Sequence, residues 1–371
     1  MTQTHRPKHN LKEVTGAFDL PGAFAGAHPY GSGHINDTYL ARIERNGTAT
    51  PFIIQRINHL IFTEPEMMMD NIVRVSAHLA RTQAAQPAPF FRAALSLVPR
   101  RDGGCLYRDS AGNYWRVYHC IHGAHSHDVV QGTDHAYEAA RAFGAFIVQL
   151  ADLDGARLHD TIPYFHHTPH RFEQLEAAIA TDVSNRAAAV KPEIAFAMAR
   201  KPMTPVLLDL LAKGLMRECV THNDTKINNV LMDDATNRAA CVIDLDTVMP
   251  GLPLYDFGDC VRSTSMRAAE DETDISKVTI DLGIFEALAR GFLEQTRDFL
   301  LPAEIEHLPF SARLITFEIG IRFLADYLNG DVYFKTHRPG QNLDRARTQF
   351  ALVASMEQHD DEMMTIVRKY S

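Results

Sequence analysis

The stretch Cys219-Val-Thr-His-Asn-Asp-Thr-Lys-Ile-Asn-Asn-Val-Leu-Met232 is followed shortly by Ala240-Cys-Val-Ile-Asp-Leu-Asp246. Short apolar runs stand on both sides of the polar segment 234–238, and this pattern predicts two buried strands joined by a turn. Polar and acidic side chains therefore lie at the ends of strands, where rigid neighbours hold them.

The first stretch contains a His-x-Asp-x-x-x-x-Asn pattern made by His222, Asp224 and Asn229. Three fixed positions occur by chance in many chains, but a polar surface turn does not explain why both apolar runs end in acids. Phosphoryl transfer needs a carboxylate that accepts a hydroxyl proton, and an amide and a carboxylate that hold magnesium on ATP. The pattern therefore predicts Asp224 as the catalytic base, with Asn229 and Asp244 as Mg²⁺ ligands.

Four neighbouring side chains have secondary assignments. Asn228 is the rival of Asn229, although the spacing favours Asn229, and Asp246 is a further metal ligand acting through a second ion or a water. His222 is predicted to position the loop by hydrogen bonds and not to transfer protons. Lys226 is a second catalytic candidate that contacts the γ-phosphate as a point charge; the alternative is a solvated loop lysine.

A further motif, the triplet Asp256-Phe-Gly258, is identical to the metal-binding triplet of protein kinases. It comes well after Asp224, whereas Asp244 directly follows the predicted strand pair. We therefore interpret Asp256 as a structural acid that braces the catalytic loop.

Bulk composition excludes several classes of protein. The net charge of −9 and pI near 6.1 argue against nucleic acid as a partner, because phosphate-backbone binding needs a basic face. Five scattered cysteines without a Cys-x-x-Cys motif indicate reduced thiols. The N-terminus lacks an apolar signal region, and no apolar run is long enough for a membrane span. We expect a cytoplasmic protein with no membrane partner, and a monomer is favoured.

The first third of the chain, residues 1–121, is rich in predicted strands. Residues 30–40 are predicted as a glycine-containing turn that leads into a strand, and further strands are predicted at 51–58, 95–99 and 114–120. A hairpin turn is predicted at Asn46-Gly47, and one helix covers 64–80. These elements predict a small β-rich N-terminal lobe that covers the nucleotide phosphates.

Residues 122–371 change to helical periodicity, interrupted by the two strands of the opening motif. Helices are predicted over 134–153, 171–181, 191–212, 275–299, 311–328 and 342–368. A β-rich small lobe followed by a larger, mainly helical lobe describes an α+β, bilobal, protein-kinase-like fold. The catalytic loop and the acceptor pocket belong to the larger lobe.

The small lobe supplies the remaining nucleotide-binding candidates. These are Gly31, Ser32, Gly33, Arg56, His119 and Ile121. A glycine turn covers phosphates through backbone N–H groups, although glycines in hairpins are usually only turns. The phosphate-binding lysine expected on the following strand is absent, since the strand offers Gln55 and Arg56 instead. Arg56 or Lys226 would then supply the positive charge that this lysine normally provides at the phosphates.

At these residues the chain resembles the aminoglycoside phosphotransferase and choline kinase superfamily, and within it the bacterial N-acetylhexosamine kinases that phosphorylate the anomeric hydroxyl. The resemblance runs from about Tyr30 to Gln358. It is carried by Gly33-His-Ile-Asn36, Trp115-Arg-Val-Tyr118, Thr168-Pro-His-Arg-Phe172, Thr221-His-Asn-Asp-Thr-Lys226, Ile243-Asp-Leu-Asp-Thr247, Met249-Pro-Gly251, Asp256-Phe-Gly-Asp259 and Arg322-Phe-Leu-Ala-Asp-Tyr-Leu328. The superfamily often has Gly where this chain has Asn223, and the hexosamine kinases share the Asn.

The resemblance implies ATP with magnesium and an N-acetylated hexosamine as the small-molecule partner. Alongside Asp224, it implies sugar-pocket roles for His34, Asn36, Arg322, Asp326 and Tyr333. The alternative for Arg322 and Asp326 is an i,i+4 surface pair on a helix. An aminoglycoside acceptor is kept open by the acidic stretch 270–274, and a non-catalytic pseudokinase scaffold is disfavoured because the base and both metal ligands are present.

Overall fold

A computed structural model describes residues 9–31, 33, 35–86, 89–153 and 155–371. The chain forms two compact units. The first contains the residues up to Ala84 together with Ala93–His122, and the second contains Ala85–Arg92 together with Gly123–Ser371. The segment 85–92 thus belongs with the helical unit although it precedes the last strands of the small one.

The first unit is built on one antiparallel sheet with two helices. Its elements are α1 (Leu11–Ala17), β1 (Ala23–Pro29), β2 (Asp37–Arg45), β3 (Thr48–Ile57), α2 (Pro65–Ala84), β4 (Tyr107–Arg108) and β5 (Tyr114–His119). The strand order is β1-β2-β3-β5-β4.

The β2–β3 hairpin forms because its turn and its side-chain pattern agree. Asn46 and Gly47 adopt φ values of 51° and 78°, the left-handed conformation that a two-residue hairpin turn requires. Alternate residues of both strands, among them Ile43 and Ile54, are buried in the apolar core of this unit. Trp115 on β5 completes this core, and its indole N–H donates to Asp109 Oδ2 at 2.7 Å.

The second unit is mainly helical. Its elements are β6 (Ala124–His125), α3 (Thr133–Gln149), α4 (Thr168–Thr181), α5 (Lys191–Ala199), α6 (Val206–Ala212), β7 (Cys219–Thr221), β8 (Val230–Asp233), β9 (Ala239–Val242), β10 (Met249–Gly251), α7 (Pro253–Thr264), α8 (Leu282–Thr296), α9 (Pro302–Glu306), α10 (Leu308–Leu328), α11 (Gln341–Gln358) and α12 (Asp360–Tyr370). The two predicted strands of the opening motif are confirmed as the antiparallel pair β8–β9, and β7 pairs with β10.

Helix α7 carries the Asp-Phe-Gly triplet and packs closely on α10. A Cβ atom added at Gly258 would lie 2.6 Å from the carbonyl oxygen of Ser311, inside the contact distance of real atoms. Glycine is needed at this position because the two helix backbones approach closely. This packing fixes α7, and with it Asp256, against the long helix that also carries Arg322.

Several predicted elements have different bounds. The single helix over 191–212 is wrong, because Pro202 and Pro205 remove backbone donors and divide it into α5, a 3₁₀ turn and α6. The helix predicted from 275 starts only at Leu282, after the N-cap Asp281. The helix over 342–368 is two helices that meet at His359.

The strand predicted over 95–99 is reduced to an isolated bridge between Leu97 and Tyr118. Helices α1 and α7 and strand β1 are additions that the sequence pattern did not indicate. Among the described helices, none combines the length and the apolar character that crossing a lipid bilayer would require.

Candidate active site

A buried carboxylate holds the backbone of the catalytic loop. Asp256 Oδ2 accepts the N–H of His222 at 2.8 Å, and Oδ1 accepts the N–H of Asn223 at 2.7 Å. Burial raises the pKa of Asp256 to about 7, against the lowering effect of the two N–H groups. The carboxylate is fully used by the loop, which agrees with the interpretation of Asp256 as a structural acid.

The imidazole of His222 is completely buried and has a fixed tautomer. Its Nε2–H donates to the carbonyl of Ile243 at 2.9 Å, and its Nδ1 accepts the N–H of Asp224 at 3.3 Å. Burial lowers the pKa of this histidine, with only partial compensation from the Ile243 carbonyl. A neutral ring with both nitrogens engaged positions the loop and has no proton to exchange with a substrate.

Asn223 occupies a left-handed backbone position, with φ of 63°. Asparagine tolerates this conformation better than most residues because its short amide bonds locally. Here the amide donates to the carbonyl of Thr247 at 3.0 Å and accepts from the hydroxyl of Thr221 at 3.1 Å. These bonds explain how the loop keeps its turn without a glycine.

Asp224 lies at the open side of the loop, with its side chain 25% exposed. The ammonium of Lys226 is 2.7 Å from Asp224 Oδ1, and the amide of Asn229 donates to Oδ2 at 3.2 Å. Burial opposes ionisation of the carboxyl group, but the positive charge of Lys226 holds its pKa below the ordinary value. Asp224 is therefore an ionised carboxylate oriented by two donors.

The predicted metal ligands fall together at the ends of β8 and β9. Ile243 donates its N–H to the carbonyl of Asn229 at 2.9 Å, so Asn229 lies beside the chain segment that contains Asp244. The Asn229 amide nitrogen donates to the carbonyl of Asp224 at 2.8 Å, and its Oδ1 accepts no hydrogen bond from the described residues. Asp244 is exposed and Asp246 is buried.

This donor set fits magnesium. An amide oxygen without a hydrogen-bond donor among the described residues and an exposed carboxylate are hard oxygen ligands of the kind that Mg²⁺ takes beside nucleotide phosphates. The amide nitrogen of the rival Asn228 lies 3.4 Å from Asp128 Oδ1, and the choice of Asn229 over Asn228 rests on the spacing along the chain.

A second carboxylate brace lies at the end of α10. Asp326 Oδ1 accepts the N–H groups of Val332 and Tyr333 at 3.0 and 2.8 Å, and Oδ2 accepts from Phe334 N–H and the Asn342 amide at 3.0 and 2.9 Å. Within the described part of the chain Asp326 forms no ion pair with Arg322, so the i,i+4 surface pair is not formed. A direct sugar contact from Asp326 would have to compete with these four hydrogen bonds.

Arg322 points into a ring of aromatic side chains. Its guanidinium carbon lies 5.6 Å from the ring centres of Phe165 and Phe334 and 6.0 Å from that of Tyr333. Among the described residues it makes no hydrogen bond or ion pair. Burial and the positive charge of Arg322 lower the pKa of Arg171, so two guanidinium groups lie on this side of the unit. Five donors of Arg322 remain for a ligand.

One charged pair and one histidine near the loop were not predicted from the sequence. Arg262 on α7 donates to Asp259 Oδ1 at 2.7 Å, and both side chains are buried. Their spacing from Asp256, at three and six residues on one helix face, was the available signal. His166 contacts the loop through the carbonyl of Asn223, and no local pattern points to it.

The remaining predicted residues belong to the small unit. Ser32 and His34 lie outside the described residues. Gly31 and Gly33 are exposed, and Gly31 has φ of 77°. Asn36 accepts the N–H of Asn58 at 3.0 Å, which joins the start of β2 to the end of β3.

The strand position without a lysine is filled by a polar pair. Gln55 accepts from the buried Arg116 on β5 at 2.9 Å, and Arg56 is ion-paired with Asp37 at 2.6 Å. Any phosphate contact by Arg56 would require it to leave this partner. His119 is exposed at the end of β5 and Ile121 is half-buried just beyond it.

Comparisons with solved structures show the same architecture. An aminoglycoside phosphotransferase from Alicyclobacillus acidocaldarius matches with a TM-score of 0.59 at 14% identity, covering 99% of this chain and 98% of that one. A spectinomycin phosphotransferase, solved with ADP and spectinomycin, matches with a TM-score of 0.54 at 12% identity over 95% and 100%. A choline kinase from Cryptosporidium parvum matches with a TM-score of 0.50 at 13% identity over 93% and 92%.

At these identities the likeness shows the shared fold, and it confirms the predicted bilobal, protein-kinase-like class. Membership follows from the sequence itself. The model of the phosphotransferase enzyme family matches residues 26–290, more than half of the chain and all of the catalytic loop. The chain belongs to the phosphotransferase enzyme family.

Proposed function

We propose that this phosphotransferase transfers the γ-phosphoryl group of ATP to the anomeric hydroxyl of an N-acetylhexosamine, N-acetylglucosamine or N-acetylgalactosamine. The observation that carries the phosphoryl-transfer chemistry is the ionised, partly exposed carboxylate of Asp224, oriented by Lys226 and Asn229. The acceptor is proposed from the sequence resemblance and from the positive charges of Arg322 and Arg171.

Asp224 acts as the base in this proposal. Its carboxylate accepts the proton of the acceptor hydroxyl as the oxygen attacks phosphorus, and the same contact orients the nucleophile. An anomeric hydroxyl is more acidic than an ordinary alcohol, so a carboxylate with a lowered pKa is a sufficient base. The side chain of Lys226 is 46% exposed, and we assign its ammonium group to the oxygens of the transferring phosphoryl group.

Asn229 and Asp244 would hold magnesium, with Asp246 as a further ligand through a second ion or a water. When bound, Mg²⁺ neutralises charge on the β- and γ-phosphates of ATP. Asp224 is kept out of the metal ligand set by its hydrogen bonds to Asn229 and its ion pair with Lys226.

The charge near Arg322 supports a neutral acceptor. Arg322 and Arg171 place two positive groups on this side of the unit, which disfavours a polycationic aminoglycoside or a choline-like amine. Hydroxyl and acetamido oxygens accept hydrogen bonds from guanidinium groups, and such a site rejects ligands that leave its donors unpaired. The brace at Asp326 holds the backbone of Tyr333, which places that ring beside Arg322.

The five free thiols support a cytoplasmic location.

The decisive experiment incubates the purified protein with ATP, Mg²⁺ and a panel of N-acetylhexosamines, neutral hexoses and aminoglycosides. Phosphorus NMR distinguishes an anomeric phosphate from a phosphate on another hydroxyl by proton coupling, and the anomeric ester is released by brief warming in dilute acid. We expect an acid-labile product from an N-acetylhexosamine. An acid-stable product, or faster turnover of a kanamycin-type substrate, would overturn the acceptor assignment and leave the phosphoryl-transfer chemistry in place.

A further inference from the structure

His166, in the segment before α4, is buried and hydrogen-bonded at both ring nitrogens. Nδ1 lies 2.8 Å from Glu318 Oε1, and Nε2 lies 3.1 Å from the carbonyl oxygen of Asn223. A carboxylate oxygen and a carbonyl oxygen are both acceptors, so each ring nitrogen must carry a hydrogen to make its bond. With Glu318 ionised, its pKa held below the usual value by the charge of His166 against the effect of burial, this geometry requires an imidazolium ion.

Glu318 links this imidazolium to α10, the helix that carries Arg322. The carboxylate is fully buried on α10, and its Oε2 accepts the hydroxyl of Thr168 at 2.6 Å. Arg322 follows Glu318 by one helical turn on the same face. The carbonyl that His166 binds belongs to Asn223, the residue directly before Asp224. One buried ion pair thus joins the base-bearing loop to the helix that carries Arg322.

We propose that His166 and Glu318 are positioning residues that hold the base Asp224 at a fixed place relative to α10, and that turnover requires His166 to carry both ring protons. The part of this proposal that concerns turnover rests on the proposed kinase activity. The positioning of the loop by His166 and Glu318 does not depend on that activity. Neither side chain contacts the reacting atoms in this proposal, since both act through the carbonyl of Asn223 and the backbone of α10.

The surroundings of His166 favour the charged form. Burial alone would lower its pKa, but the carboxylate of Glu318 outweighs burial and raises it. The other ionisable groups that interact with the pair include Asp259, Asp256, Tyr255, Arg322 and Arg171. Burial likewise works against ionisation of Glu318, and the charge of His166 still holds the pKa of Glu318 below its usual value. A neutral imidazole has one N–H, so deprotonation breaks one of the two bonds.

The test compares the pH dependence of kcat for the wild type, Glu318→Gln and Thr316→Val, with Mg·ATP and N-acetylglucosamine. Thr316 is a matched control because it is buried on the same helix, and its hydroxyl bonds only within that helix, to Ala312 at 2.7 Å. We expect Glu318→Gln to move the alkaline limb of kcat to lower pH by about 1–3 units. We also expect kcat at neutral pH to fall on the order of tenfold to a hundredfold, with the affinity for Mg·ATP unchanged.

Thr316→Val should keep the alkaline limb of kcat at its wild-type pH. The proposal would be overturned if Glu318→Gln and Thr316→Val had their alkaline limbs at the same pH. Glu318→Asp, which keeps the carboxylate but shortens its reach toward His166, serves if Glu318→Gln does not fold, and it should give a smaller shift in the same direction. Nitrogen-15 NMR of the histidine rings, assigned with His166→Gln, measures the protonation of His166 without any acceptor. Two protonated ring nitrogens at neutral pH are expected, and a single one would overturn the proposal even if the sugar is phosphorylated. Failure of the sugar assay alone would instead count against the proposed acceptor.

Discussion

In two segments of the helical unit, a carboxylate side chain accepts consecutive backbone N–H groups and so orders a turn. In the catalytic loop, Asp256 accepts two consecutive backbone N–H groups, from His222 and Asn223. After α10, Asp326 accepts three consecutive N–H groups, from residues 332–334. Each carboxylate comes from a helix and orders a turn that has no regular backbone partners of its own.

The two turns differ in what surrounds them. His222 and Asn223 are buried, so the loop braced by Asp256 has one geometry and presents Asp224 and Lys226 to solvent. In the turn braced by Asp326, Val332 and Tyr333 are 79% and 54% exposed. The first turn is built for a fixed reaction geometry. In the proposed function, the second presents exposed side chains to the acceptor.

The largest effect is expected where the rigid loop presents its working group. Asp224→Asn keeps the shape of the side chain but removes the proton acceptor, so kcat should fall by about 10²–10⁴-fold or more. Steady-state kinetics measures this loss, and circular dichroism with Mg·ATP titration shows that fold and nucleotide binding survive. A variant that keeps more than about a tenth of wild-type kcat would remove Asp224 from the role of base.

The next prediction separates the two acids that compete for the metal. Asp244→Ala should eliminate Mg²⁺-dependent ATP binding in calorimetry, because an exposed carboxylate beside Asn229 is lost. Asp256→Asn should retain that binding, since its carboxylate is used by the loop backbone. If Asp256→Asn abolished binding and Asp244→Ala did not, the two assignments would be exchanged.

A third prediction concerns the stability that the rigid turn depends on. Asn at position 256 has one acceptor oxygen and directs an NH₂ group at a backbone N–H, so unfolding free energy should fall by about 1–3 kcal/mol. Chemical denaturation measures this difference at constant pH.

The same variant has a pH signature with a defined sign. Burial raises the pKa of Asp256 from 3.8 to about 7 in the native state, so this group binds a proton more tightly when folded. Its stabilising contribution is fully present below pH 3.8 and is lost as the pH rises through about 7. Asp256→Asn should lack this part of the dependence; a wild-type slope retained in the variant would assign the titration to another group.

The smallest effect is expected in the exposed turn. Asp326→Asn loosens the segment 332–334, so KM for the acceptor should rise several-fold while kcat changes less, because the base and metal ligands are untouched. Asn342→Ala, which removes only the side-chain donor to Asp326, is a milder companion variant. A fall in kcat with KM unchanged would show that this turn also controls the reaction geometry.

Local pattern was sufficient for the parts of the site that are close in sequence. The strand pair β8–β9 follows from two apolar runs around a polar turn, and the spacing of Asp224, Asn229 and Asp244 places them at its ends. The N–H of Ile243 bonded to Asn229 is the contact that such a hairpin predicts. The Asn46-Gly47 hairpin was equally accessible, because turn chemistry and alternation act over a few residues.

Local pattern failed where the partner is distant or the local signal was misjudged. The helix over 191–212 was drawn through Pro202 and Pro205, although proline chemistry forbids it. The use of the Asp326 carboxylate by the segment 332–334 was also not indicated, because a four-residue spacing from Arg322 looks the same for a surface pair and for a brace.

The amino-acid sequence was enough to establish the family, the bilobal class, and the base and metal-ligand hypotheses, because each depends on short-range spacing and strand periodicity. The tertiary structure alone showed that His166 and Glu318, 152 residues apart, form an ion pair, and that Asp326 braces the turn at 332–334. Burial is the physical reason: it makes a charge costly unless a partner is present. Folding brings those partners together from segments that have no common pattern along the chain.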